Sequence, residues 1–112
     1  MNAATAIASL PDGSGLVEVV GAGALAGEVR RLLGERARVP RMDERPTAII
    51  ETSGEPAALE TALQRVDDLG TVVLAGPLPT RPLALDLYVD LHVRGLTLVG
   101  VSPTMPQSGH GR

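Results

Sequence analysis

Short apolar runs alternate with one-sided apolar stripes along this chain, and glycine or proline stands at most junctions between them. Leu16 to Val20 is an apolar run broken only by Glu18, and it leads into Gly21, which predicts a strand ending in a tight turn. Ala22, Leu25, Ala26, Val29, Leu32 and Leu33 then recur at helical spacing up to Gly34, a helix with its stop. Thr47 to Ile50, rich in β-branched residues, predicts a second strand. Leu59, Ala62, Leu63, Val66 and Leu69 form another stripe, with Pro56 near its start and Gly70 at its end, an asymmetry that fits a helix. Thr71 to Ala75, closed by Gly76, and Leu96 to Val101 predict two further strands. Between Leu83 and Val93 every odd position is apolar, so a strict count favours a strand over a helix, and the segment stays ambiguous on pattern alone. Strands alternating with helices imply an α/β fold with a parallel sheet.

The ordered unit on this reading is 16–101, preceded by a flexible lead-in, 1–15, that ends in turn-forming residues, and followed by a disordered tail, 102–112, which holds His110. A length of 112 residues allows one small domain. The chain has no Cys, Trp, Phe or Lys, and Tyr88 is its only aromatic residue. Thiolate chemistry, thiolate metal sites and aromatic stacking platforms for single-stranded nucleic acid are thereby set aside. A net charge of −3 speaks against nucleic-acid binding, although six of the ten arginines fall between Arg30 and Arg45. Glu28, Glu35, Asp43 and Glu44 dilute that cluster, which reads as a solvated helix end and loop. No segment approaches the roughly 20 apolar residues of a membrane span, and the expectation is a soluble, cytoplasmic protein.

The candidate chemistry lies in Gly21-Ala22-Gly23-Ala24-Leu25-Ala26, which matches GxGxx(G/A) directly after a strand and at the opening of a helix. The first glycine lets the chain turn, the second lets backbone approach a pyrophosphate, and a small residue at Ala26 lets helix and strand pack closely. Glu51 ends a strand where α/β ligands bind, so it is a candidate general base or polar ligand contact, with capping of the following helix as the alternative. Asp86, Tyr88, Asp90 and His92 could form an acid/base cluster, but their alternating positions describe a solvent face.

The runs GLVEVVGAGALAG, PTAIIETSGEPAALETALQRVDDLGTVVLAGP and LALDLYVDLHVRGLTLVGV resemble, in family order, the cofactor-binding (Rossmann) domain of medium-chain dehydrogenases/reductases, the zinc-type alcohol and polyol dehydrogenases. Ile50-Glu51-Thr52-Ser53-Gly54 is the most distinctive piece. The resemblance implies that Gly21 and Gly23 face the pyrophosphate of NAD(P), that Ser53, Gly76 and Gly100 lie near the nicotinamide, and that Leu83–Leu87 is extended with a short helix over Tyr88–Arg94. The family's catalytic domain is not represented, and without cysteine its usual zinc ligands cannot be assembled, so a stand-alone zinc-dependent dehydrogenase is not expected.

A second departure is internal. Residues 37–43 resemble the family's second strand with its ribose-binding acid, yet only three residues separate Asp43 from the strand at Thr47, as though a helix, a strand and a helix had been deleted. A full parallel strand at 37–42 would need a return of about 17 Å plus a crossover of about a dozen residues. If 37–46 is a loop instead, right-handed connections place all helices on one face and leave the other bare. Exchange of the C-terminal half between two chains is the third solution. The expectation is therefore a reduced Rossmann-like sheet of about four to five strands, completed by dimerisation or segment exchange, in a homodimer.

Without a second strand the adenosine half of a dinucleotide site is missing, which makes full-affinity NAD(P) binding doubtful. The functional expectation is a small-ligand or nucleotide binder derived from such a dehydrogenase, recruited as an accessory or unusual enzyme in a biosynthetic pathway. The alternatives are an interaction module for a separate catalytic polypeptide, and a lyase, isomerase or cyclase reusing the cleft.

Overall fold

The computed structural model describes residues 3–13, 15–76 and 84–101. Its elements are α1 (Ala3–Ala8), β1 (Val17–Val20), α2 (Ala24–Leu33), a single 3₁₀ turn (Gly34–Arg36), β2 (Ala48–Glu51), α3 (Pro56–Arg65), β3 (Thr71–Leu74), a π turn (Tyr88–His92) and β4 (Thr97–Gly100). The four strands are parallel in the order β1-β2-β3-β4, with Val20, Glu51, Leu74 and Gly100 in register at their carboxyl ends. Strand and helix positions thus follow the apolar pattern, with ends shifted by one or two residues except in α3, which stops at Arg65.

The helices occupy both faces of the sheet, which rules out the bare-face alternative among the three. On one face α1 and α2 bury Ala3, Ala6, Ala26, Val29 and Leu33 against Val17, Val19, Ala48, Ile50 and Val73. On the other, Leu59, Ala62, Leu63 and Val66, which come from α3 and the residue after it, pack on Ile49 and Val72, joined by Leu85, Leu91 and Leu96 around the π turn. All four residues of β2 are buried, as a central parallel strand with both faces covered requires.

The connection that the sequence left open is resolved by shrinking the second strand to one residue. Ala37 makes a single parallel bridge to Val17, on the side of β1 away from β2. The step from β1 through α2 to Ala37 runs one way, and the step from β2 through α3 to β3 runs the other. Right-handed connections in opposite directions put their helices on opposite faces. Because Ala37 pairs at the amino end of β1, no strand length has to be retraced. Residues 38–47 need only pass beneath β1, two strand spacings or about 10 Å. The passage is held by the Arg38–Glu44 fork, with contacts of 2.7 and 2.6 Å, and by Thr47 N donating to Leu16 O at 3.0 Å.

One strip of β1 remains open. On the α3 face a groove of about 350 Å³ runs beside Glu18 and Val20 and is walled by Ala57, Thr61 and Arg65. The Arg65 guanidinium meets the Glu18 carboxylate at 2.9 Å across it.

Two other expectations change. The lead-in, 1–15, contributes a helix whose Ala3 and Ala6 are buried in the core, so alanines with no long apolar run still found a surface to cover. The segment with alternating polarity is not the strand that the strict count favours and comes closer to the short helix that the resemblance implies over Tyr88–Arg94. Tyr88–His92 is a π turn, and Leu85 and Leu91, six residues apart, both reach the α3 cluster. Leu83 and the tail, 102–112, lie outside the described residues.

Candidate functional site

Parallel strands bring their carboxyl ends to one edge, so Gly21, Ser53 and Gly76 follow the registered row Val20, Glu51, Leu74 and Gly100, of which Gly100 is the last member. The edge is built on Thr52. Its backbone N–H donates to Val20 O at 2.9 Å and its hydroxyl donates to the same oxygen at 2.8 Å, tying the end of β1 to that of β2. Gly21 has φ 119°, and a Cβ there would stand 2.2 Å from Thr52 Oγ1. A Cβ on Gly76 would lie 2.0 Å from Thr52 O, so β2 and β3 close tightly behind the edge. Gly23 is different, with φ 99° and open space where a Cβ would project. It precedes α2, whose first turn begins with Gly27 N donating to Gly23 O at 3.0 Å. The first glycine therefore serves packing, while the second leaves backbone open to approach. Ala26 is fully buried between α2 and the sheet, where a small side chain permits close packing.

Glu51 is 1% exposed, and its carboxylate is taken up by the loop that follows. One oxygen accepts from Ser53 N at 3.1 Å and Ser53 Oγ at 2.5 Å, and the other accepts from Gly54 N at 2.8 Å. Ser53 Oγ in turn accepts from Glu55 N at 3.2 Å, next to the start of α3. In this arrangement the Glu51 side chain shapes the loop leading into α3 and makes no cap bond to the helix itself, whose N-cap residue is Glu55.

The remaining acidic and imidazole groups make their contacts locally. Asp86 accepts from Tyr88 N and Val89 N at 3.1 and 3.2 Å, and the Tyr88 and His92 rings stack with centroids 5.4 Å apart on the outside of the π turn. Asp43 lines a cavity with Arg45, Gln64 and Arg65 at the opposite end of the sheet from the glycine turn. The Arg38 guanidinium, followed by the Arg41 backbone N–H, pulls the nearby Glu44 carboxyl down to about 2. Among the described residues no cluster of three or more histidines and carboxylates is placed to hold a metal, and no helix is long and apolar enough to cross a membrane.

Sequence reasoning missed Arg30. Read as part of a solvated helix end, it instead reaches from α2 to the edge of β1, with Nη2 donating at 2.9 Å to both Val19 O and Gly21 O. No local signal marks this, because it depends on the outer edge of β1 carrying only the Ala37 bridge among the described residues. Arg45 and Arg94 were also legible only as charges. They donate to the last carbonyls of α3 and Val66, Arg45 to Gln64, Arg65 and Val66, and Arg94 to Leu63 and Val66.

No family model matches the chain. A stretch of 54 residues, 48% of the chain, is 41% identical to L-threonine 3-dehydrogenase of Symbiobacterium thermophilum and spans 15% of that protein. Among solved structures, an alcohol dehydrogenase zinc-binding domain protein from Burkholderia ambifaria superposes with a TM-score of 0.66 at 19% identity, over 88% of this chain and 37% of that one. Benzyl alcohol dehydrogenase from Acinetobacter calcoaceticus gives 0.63 at 19% identity, over 88% of this chain and 38% of its own. The chain thus spans well under half the length of the proteins it matches. It shares the α/β, Rossmann-like fold of part of these dehydrogenase structures, and about half of it is similar in sequence to a threonine dehydrogenase.

Proposed function

We propose that this chain binds a small ligand or nucleotide at the carboxyl edge of its sheet, in a cleft inherited from a dehydrogenase cofactor site. The observation that carries this reading is the contrast between the two glycines. Gly21 is packed against Thr52, whereas Gly23 holds a left-handed conformation that side chains rarely adopt, with nothing in front of it. Packing does not account for Gly23, whereas close approach of a ligand phosphate to backbone N–H groups does. Calorimetric titration with NADH and NADPH tests it, with Gly23→Val as the control. Saturable binding that the valine variant loses is expected, and silence toward both nucleotides at millimolar concentration overturns the cofactor part of the reading.

A second reading, an interaction module, is favoured by exposed apolar surface. Leu87, Tyr88, Val89 and Val93 are 56–66% exposed around the π turn. A homodimer that covers these residues is part of the proposal. Sedimentation analysis checks it: a dimer that Val89→Glu and Val93→Glu dissociate is expected, and a monomer at high concentration contradicts it.

A further inference from the structure

Carbonyls alternate sides along a strand. Those of Leu16 and Val20 point to β2, where Thr47 N and Thr52 N donate to them at 3.0 and 2.9 Å. The carbonyls of Val19 and Gly21 therefore face the other way, into the slot that a neighbouring strand would fill. Val17 has its bridge to Ala37 there, and beyond it the described chain adds no further pairing on that side. Backbone polar groups at such an edge need partners. Arg30 supplies one: its Nη2 spans both carbonyls at 2.9 Å, doing with one guanidinium nitrogen what successive amides of a strand would do. The placement follows from α2, which runs down the sheet while its Cβ atoms tilt back toward its amino end. A long side chain rooted in the second half of the helix is thereby aimed at the glycine turn.

We infer that Arg30 replaces the lost strand at the outer edge of β1 and that the edge so closed limits the ligand to one ending at the glycine turn. In a complete open α/β sheet the adenosine of a dinucleotide lies over the strand next to β1, and an acid at the end of that strand binds its ribose. Among the described residues nothing beyond the single Ala37 bridge fills that slot, the nearest sequence candidate for the acid, Asp43, sits at the opposite end of the sheet, and a guanidinium occupies the edge. The ligand class is a mononucleotide or a phosphorylated molecule of similar length. This rests on the ligand-binding reading above.

The test compares NADH with reduced nicotinamide mononucleotide, in the full chain and in Arg30→Met and Arg30→Lys. The wild type should bind both within about threefold, since a factor of ten corresponds to only about 1.4 kcal/mol of adenosine contact. Arg30→Met should melt about 4–8 °C lower, and Arg30→Lys, which keeps a donor, should recover part of the loss. NADH binding ten times tighter or more than the mononucleotide overturns the ligand limit while leaving the ligand-binding reading intact. Silence toward both ligands overturns the ligand limit together with that reading. An Arg30→Met variant that melts with the wild type overturns the strand replacement, whichever ligands bind.

Discussion

Glu51→Gln is the sharpest perturbation of the loop behind the cleft. The carboxylate is 1% exposed and meets three donors: Ser53 N, Ser53 Oγ and Gly54 N. A glutamine of the same shape has one acceptor oxygen. If that oxygen faces Ser53, the new amide NH₂ confronts Gly54 N–H; if it faces Gly54, the NH₂ confronts Ser53 N–H. Either way one hydrogen bond to a charged group is lost, worth about 1.5–3 kcal/mol, and a buried N–H is left unpaired at a cost of about 1–3 kcal/mol. The two terms overlap, so about 2–4 kcal/mol of stability should disappear. For a domain of this size that lowers the melting midpoint by ~10–20 °C. Urea unfolding and thermal melts followed by circular dichroism measure it. A glutamine variant within about 0.5 kcal/mol of the wild type would show that the Glu51 contacts do not hold the loop. If such a variant kept its stability but lost ligand affinity, Glu51 would be a ligand contact.

Gly76→Ala should destabilise by at least ~2 kcal/mol, because its Cβ would lie 2.0 Å from the backbone oxygen of Thr52, which no rotamer can relieve; chemical denaturation checks this. Arg94→Ala removes donors from the carbonyls of Leu63 and Val66 and the 2.8 Å contact to Asp68, and should cost about 1.5–3 kcal/mol in the same assay. Arg38 and the Arg41 backbone hold the Glu44 carboxyl at about 2, below its value in the unfolded chain. Its contribution is therefore complete above the unfolded value and fades as pH falls toward 2. The pair is solvent-exposed, so Glu44→Gln should flatten the acid limb of the stability profile only slightly, and added salt should erase the difference. Leu69 holds φ 65° while exposed, so Leu69→Asn should raise stability by about 0.5–1 kcal/mol, as read from the urea midpoint.

The sequence made the strands and the two long helices legible because each carries its own period and its own punctuation. Pro56 opens α3 and β2 is apolar on both faces, and neither feature needs a distant partner to be read. The glycine turn was legible for the same local reason, although only the structure separates Gly21, which packs on Thr52, from the open Gly23. What stayed hidden depends on contacts between remote segments. The single bridge at Ala37 dissolves an apparent crossover problem, because a strand of one residue needs no return path. Arg30 gains its role only from a missing neighbour, and α1 only from the face of the sheet it covers. The alternation over residues 83–93 stayed ambiguous on its own because an irregular helical turn also brings widely spaced leucines to one side.

An amide chemical-shift titration with reduced nicotinamide mononucleotide addresses the ligand cleft most directly. The account predicts saturable shifts at Gly23, Ala24 and Leu25 and at Thr52 to Gly54, with residues 41–46 at the far end of the sheet unmoved. Shifts that cluster at 41–46, or a spectrum that does not change, would contradict it.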